Sequence, residues 1–144
     1  MNYIEKSLPG MTIVGISIRT SNSRPEEIGT LWGRFRSENP IAAISGRLSD
    51  EIYSLYLDYE GDHTQPYTLL LGYAVRPEAG VPKGLMLRHV PASKYAVFDA
   101  SGPQPATLIA TWAAIWQMPL DRAYKADFDL YRADGTVSVH VGIR

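Results

Sequence analysis

The sequence predicts an α+β fold: one antiparallel sheet packed by two main helices, built from a duplicated β-α-β-β unit with pseudo-two-fold symmetry and a groove between the two copies. Three observations predict it. The order strand, helix, strand, strand can be read from the hydrophobic periods, and that order occurs twice. Residues also match between the two passes: Val14 with Val97, Trp32 with Trp112, Leu55 and Tyr56 with Leu130 and Tyr131, and Gly72 with Gly142. The offsets fall steadily through 83, 80, 75 and 70, as they do when two copies differ in loop length.

The first unit is read as about residues 11–76. "MTIVGISIRT", Met11 to Thr20, is β-branched and alternates toward its end, so it is a strand. Ser23 and Glu26 then have capping-box spacing with Pro25 near the helix start, and Ile28, Leu31, Trp32 and Phe35 fall on one helical face. "EIYSLYLDYEGD", Glu51 to Asp62, places Ile52, Ser54, Tyr56 and Asp58 on one strand face and Tyr53, Leu55, Leu57 and Tyr59 on the other. "YTLLLGYAV", Tyr67 to Val75, closes the unit as a second strand, and "RPEAGVPKG" is a loop punctuated by proline and glycine.

The second unit is read as about residues 90–144. "SKYAVFDAS" is a strand, and "PATLIATWAAIW", Pro105 to Trp116, is a helix that Pro119 follows. "ADFDLYR" and "TVSVHVGIR" are strands joined by the Ala133-Asp134-Gly135 turn. A duplicated unit of this kind offers the groove between its copies as a binding site, because pockets favour such interfaces.

Composition narrows the function. A chain of 144 residues suits one domain. It has no cysteine, which excludes a disulfide framework and thiolate metal sites. With 14 basic and 15 acidic residues spread along it, the chain has no basic footprint, so no direct nucleic-acid contact is expected. No apolar run has membrane-span length and no secretory pattern opens the chain, so a cytoplasmic protein without membrane association is expected. The three histidines, His63, His89 and His140, lack metal-ligand spacing. His63 reads as a solvated loop residue. No nucleophile elbow, phosphate loop or zinc-protease motif occurs, and neither a cofactor nor a metal is expected.

One segment stands out. In "KADFDLYRADG", Asp127, Asp129 and Tyr131 share a strand face opposite Phe128 and Leu130. Asp134 is turn chemistry, and Asp127 reads as a residue at the strand start near solvent. At the offset of 75, Asp129 corresponds to Ser54, so the second copy adds a carboxylate where the first has a hydroxyl. A buried carboxylate persists only when paired, hydrogen-bonded or used. Nine tyrosines and three tryptophans supply aromatic faces with polar handles, and an anion among such faces makes a receptor for organic cations.

The segments "TIVGISIRTSN", "LWGRF", "IYSLYLDYEGD", "VPASKYAVFDASGP", "TWAAIW", "DFDLYR" and "VSVHVGI" together resemble the GyrI-like small-molecule-binding domain. That module serves as the effector-binding domain of AraC-type and MerR-type multidrug-responsive regulators and also occurs in stand-alone form. The resemblance covers nearly the whole chain. It implies a duplicated strand-helix-strand-strand fold that binds amphipathic, often cationic, aromatic molecules in an interrepeat pocket. Asp129 stands where the family has a glutamate, and His140 where the family has a pocket tyrosine. The expected ligand-binding residues are Asp129, Tyr56, Tyr131, Trp32, Tyr95, Trp112 and His140. Trp116 is read instead as a helix residue packed on the sheet.

The expected function is therefore the binding of small, hydrophobic or cationic aromatic molecules, for sequestration or sensing, rather than catalysis. A protein-interaction inhibitor such as a topoisomerase-binding module is one alternative. A hydrolase of electrophilic toxic compounds is the other, with Asp129 as general base. Too little chain precedes the first strand read here for a helix-turn-helix, so a free-standing module is expected, with a homodimer admitted.

Overall fold

In the computed structural model, which describes residues 2–144, the strands are β1 (Ile4–Leu8), β2 (Met11–Thr20), β3 (Ile52–Leu57), β4 (Tyr67–Val75), β5 (Met86–Val90), β6 (Ser93–Asp99), β7 (Ala126–Tyr131) and β8 (Val137–Ile143). The helices are α1 (Pro25–Ser37), the single turn α2 (Asn39–Ala42) and α3 (Ala106–Trp116). All eight strands pair antiparallel in one sheet of order β1-β6-β8-β7-β3-β4-β2-β5. This is the α+β architecture that the hydrophobic periods predict.

Exchanging β1 with β5, β2 with β6, β3 with β7 and β4 with β8 maps the sheet order onto its own reverse. β3 and β7 meet at the centre, and Ser54 lies directly opposite Asp129 there. The outermost strands cross over: β1 pairs with β6, far along the chain, and β5 pairs back with β2. Neither β1 nor β5 is recognised from the sequence. "IEKSL" is almost wholly exposed and "MLRHV" buries only Val90, and such sheet edges carry no alternating apolar signal.

Alternation along each strand separates two cores. Facing the helices, Ile16, Tyr67, Leu69 and Leu71 pack under Leu31 and Phe35 of α1. Val137, Val139, Val141, Ala96 and Phe98 pack under Ile115 of α3. On the other face, Ile13, Leu55, Leu70, Val90, Tyr95, Phe128 and Leu130 form a core supplied by strands alone, which requires the sheet to curl over itself. A glycine pair permits the tightest approach in it. A Cβ on Gly15 would sit 1.8 Å from the Leu71 carbonyl oxygen, and one on Gly72 would sit 2.2 Å from that of Val14.

The α1 start differs from the sequence reading. Its N-cap is Arg24, and no side chain caps it. The Ser23 hydroxyl instead pairs with that of Ser21, and Glu27 accepts from Thr20 Oγ1 at 2.8 Å. Pro25 still opens the helix, where its missing N–H costs nothing.

Candidate functional site

A cleft of about 830 Å³ opens between α1 and α3. From α1 it takes Ile28, Trp32 and Arg36, and from α3 Leu108, Trp112 and Trp116. Between the helices, the sheet contributes Ile52, Tyr56, Tyr67 and Tyr131. The periodicities explain this wall. Positions 28 and 32, and 112 and 116, each lie one turn apart at the inner edge of their helix, while Tyr56 and Tyr131 are on the helix-facing side of the two central strands.

The rings interlock edge to face. Trp32 meets Tyr131 at 5.1 Å between centroids, and Tyr56 meets both Trp112 and Tyr67 at 5.5 Å. Each such pair adds only about 0.5–1.5 kcal/mol beyond the area it buries. At the mouth, His63 stacks on Trp116 with centroids 4.9 Å apart and planes 6° from parallel. Both residues line the cleft, so the reading of His63 as a solvated loop residue and of Trp116 as only a packing residue is corrected.

Asp129 lies beneath this wall, fully buried. The Tyr56 hydroxyl donates to its Oδ2 at 2.5 Å, and Trp112 Nε1–H donates to its Oδ1 at 2.8 Å. Burial opposes ionisation more strongly than these two bonds favour it, and the carboxyl is pushed up to about 7. Burial and the nearby Asp129 charge push the Tyr56 hydroxyl well above its ordinary range, so it remains a donor. The carboxylate therefore reaches the cleft as a field through two aromatic groups that it orients.

A second buried acid stands two residues along the same strand. Asp127 is fully inaccessible, which corrects its reading as a residue near solvent. Its Oδ2 accepts from Arg122 Nη2 at 2.6 Å and from the Tyr59 hydroxyl, and its Oδ1 accepts from the Gly142 N–H at 2.7 Å. Tyr59 is on this side because the β3 alternation breaks at Asp58, whose φ is +52°. Two bonds from Arg88 at 2.7 Å each hold Asp58 in place. Simple alternation carried past the strand end assigns Tyr59 to the wrong face.

Five of the seven expected site residues come together: Trp32, Tyr56, Trp112 and Tyr131 in the wall and Asp129 under it. Tyr95 and His140 do not. Tyr95 belongs to the core of the curled face, and His140 stacks on Phe128 at 4.3 Å on that same face. Strand parity explains the difference, because Val139 and Val141 point toward α3 and His140 between them points away. Burial lowers the His140 imidazole to about 4, which leaves it neutral near pH 7.

Two residues outside the expected ligand-binding set complete the site. Tyr67 lines the cleft and donates to Asn22 Oδ1 at 2.7 Å, and Arg122 lies at the base beside Asp127. Arg122 has a weak sequence signal, since it is one of two cations, with Lys125, in the segment just before the acids of a cleft-facing strand. Among the described residues, no cluster of three or more histidines or acids has metal-binding geometry, and no helix is long and apolar enough to cross a membrane.

Known proteins share this fold and sequence pattern. The transcriptional-regulator-like protein YobU of Bacillus subtilis is 30% identical over 131 residues, spanning 85% of this chain and 82% of its own. The integron cassette protein VCH_CASS2, from the mobile metagenome of Vibrio cholerae, superposes with a TM-score of 0.81 at 26% identity, covering 99% of this chain and 95% of that one. SAV2435, solved bound to tetraphenylphosphonium, superposes with a TM-score of 0.77 at 19% identity over 100% of this chain and 94% of its own, a likeness of fold. A family profile described as Cass2, integron-associated effector binding protein, matches residues 6–143. By that near-complete match, the chain belongs to the integron-associated effector-binding protein family.

Proposed function

We propose that the chain binds lipophilic aromatic cations in the cleft between α1 and α3, as a sequestering or sensing module. One observation carries this reading: a fully buried carboxylate, Asp129, takes hydrogen bonds from Tyr56 and Trp112, two rings that themselves form the cleft wall. The rings present apolar area, worth about 25 cal/mol per Å² removed from water, and negative π-faces to a cation. Beneath them the carboxylate adds attraction through a medium of low dielectric, where charges are screened far less than in water.

Membership of an effector-binding family supports small-molecule binding, and the tetraphenylphosphonium held by SAV2435 supports a cationic, polyaromatic ligand. The same reading takes the chain as a tandem of two units in a GyrI-like arrangement. The mirror-related strand order and the placement of Ser54 opposite Asp129 support that view, with β1 and β5 added to the units read from sequence.

Titration with tetraphenylphosphonium, followed by tryptophan fluorescence at pH 8, tests the proposal. Wild type is expected to bind, and Asp129→Asn and Asp129→Ala to bind at least tenfold more weakly. Equal affinity in all three proteins would remove Asp129 from the site.

A further inference from the structure

Arg122 lies in the connection between α3 and β7 and lines the cleft, with its side chain 6% exposed. Its Nη2 donates to Asp127, which also accepts from Tyr59 and from the Gly142 N–H. The other two nitrogens, Nε and Nη1, are buried and have no acceptor. Aromatic rings are near them: the guanidinium carbon is 4.3 Å from the Tyr124 centroid and 5.6 Å from that of Trp112. A ring face attracts the charge but does not replace an oxygen acceptor for an N–H, so two donors are left unmet.

Tyr124 packs on the guanidinium from outside the cleft lining, and its ring also meets Tyr59 at 5.7 Å between centroids. Tyr124 is only half-buried, and its φ of +53° lies in the sparsely populated left-handed region. Trp112 links the two charged groups, since its indole N–H bonds Asp129 and its ring lies beside Arg122. Asp127 and Asp129 are two residues apart on one strand face, a step of about 7 Å. The cleft thus has an acid under one end and an under-used guanidinium under the other.

We propose that Arg122 is a second anchor in the cleft, for a carboxylate carried by the ligand, so that preferred ligands are zwitterionic aromatic molecules. This rests on the reading of the cleft as a receptor for aromatic cations. On binding, the ligand carboxylate accepts from Nε and Nη1, a paired geometry for which guanidinium is suited.

A matched pair of probes tests it: (4-carboxybutyl)triphenylphosphonium, zwitterionic at pH 8, and pentyltriphenylphosphonium, the same cation without the carboxylate. Wild type is expected to bind the carboxylate compound at least tenfold more tightly. In Arg122→Met/Asp127→Asn, which removes both buried charges together, that ratio is expected to fall to about one, in line with the loss of charge-assisted bonds. Arg122→Lys keeps a charge beside Asp127 but deletes the Nε and Nη1 pair, and is expected to lower the ratio at least threefold. A ratio unchanged in both variants, or a wild type that binds the pentyl compound as well as its partner, overturns the subsite alone. Wild type that binds neither compound overturns the cleft reading and the subsite together.

Discussion

Ser54 and Asp129 face each other across the two central strands of the sheet, a hydroxyl opposite a carboxylate. Both side chains are buried on the helix-facing side, but only Asp129 holds the cleft wall, through Tyr56 and Trp112. The centre of a nearly symmetric scaffold is therefore chemically one-sided.

Cation binding is expected to depend on pH with a set sign. The Asp129 carboxyl of the free protein sits at about 7, and a bound cation favours its ionised form. Affinity for tetraphenylphosphonium is expected to be constant above pH 8 and to fall toward tenfold per pH unit below 6. Asp129→Asn is expected to bind weakly with no such slope. Fluorescence titrations from pH 5 to 9 measure both.

The same group makes a stability difference with the opposite trend. Because burial raises the folded-state value, the folded protein holds this proton more tightly than the unfolded chain, and the stability it contributes is lost as pH climbs from about 4 through 7. The stability of Asp129→Asn relative to wild type is expected to improve by about 3 kcal/mol between pH 5 and pH 8. Urea denaturation at the two pH values gives the comparison.

Trp112→Phe keeps the ring and deletes the indole donor to Asp129. A carboxylate that loses a hydrogen bond ionises less readily, so the midpoint of the pH profile for cation binding is expected to rise by about one to two units. A midpoint that stays in place would show that the indole N–H does not support the charge.

Arg122→Ala leaves Asp127 buried and unpaired, and is expected to cost about 3–5 kcal/mol of stability. Arg122→Met/Asp127→Asn removes both charges and is expected to recover most of that loss. Denaturation midpoints of the two variants decide whether the ion pair or the side-chain packing matters more.

Gly72→Ala places a methyl where the Val14 carbonyl oxygen stands, 2.2 Å away. A backbone atom there cannot step aside without breaking the β2–β4 ladder. The variant is expected to lose several kcal/mol of stability or fail to fold, and circular dichroism melting measures the change.

Much of this was legible in the residues. The two main helices and six inner strands follow from apolar periods, and the pair Asp129 and Tyr131 follows from strand alternation, which the register preserves. The edge strands β1 and β5 escaped because β1 is almost wholly exposed and β5 buries only Val90, too little to make a period. Family likeness puts Tyr95 and His140 in the site, but alternation alone does not say which sheet face bears the helices, and both lie on the curled face away from the cleft. Tyr59 and Arg122 were hidden for another reason. Their positions depend on a left-handed residue at Asp58 and on the connection before β7, where no period runs.

The crossing of β1 onto β6 and of β5 onto β2 also constrains how the cleft works. The two helix-bearing halves share a continuous ladder at the sheet centre and are laced together again at both rims. A jaw-like opening would have to tear backbone hydrogen bonds at several places at once. Under the binding function proposed above, guests of different shape would be accommodated by turning rings rather than by parting halves: a fixed frame with adjustable aromatic shutters.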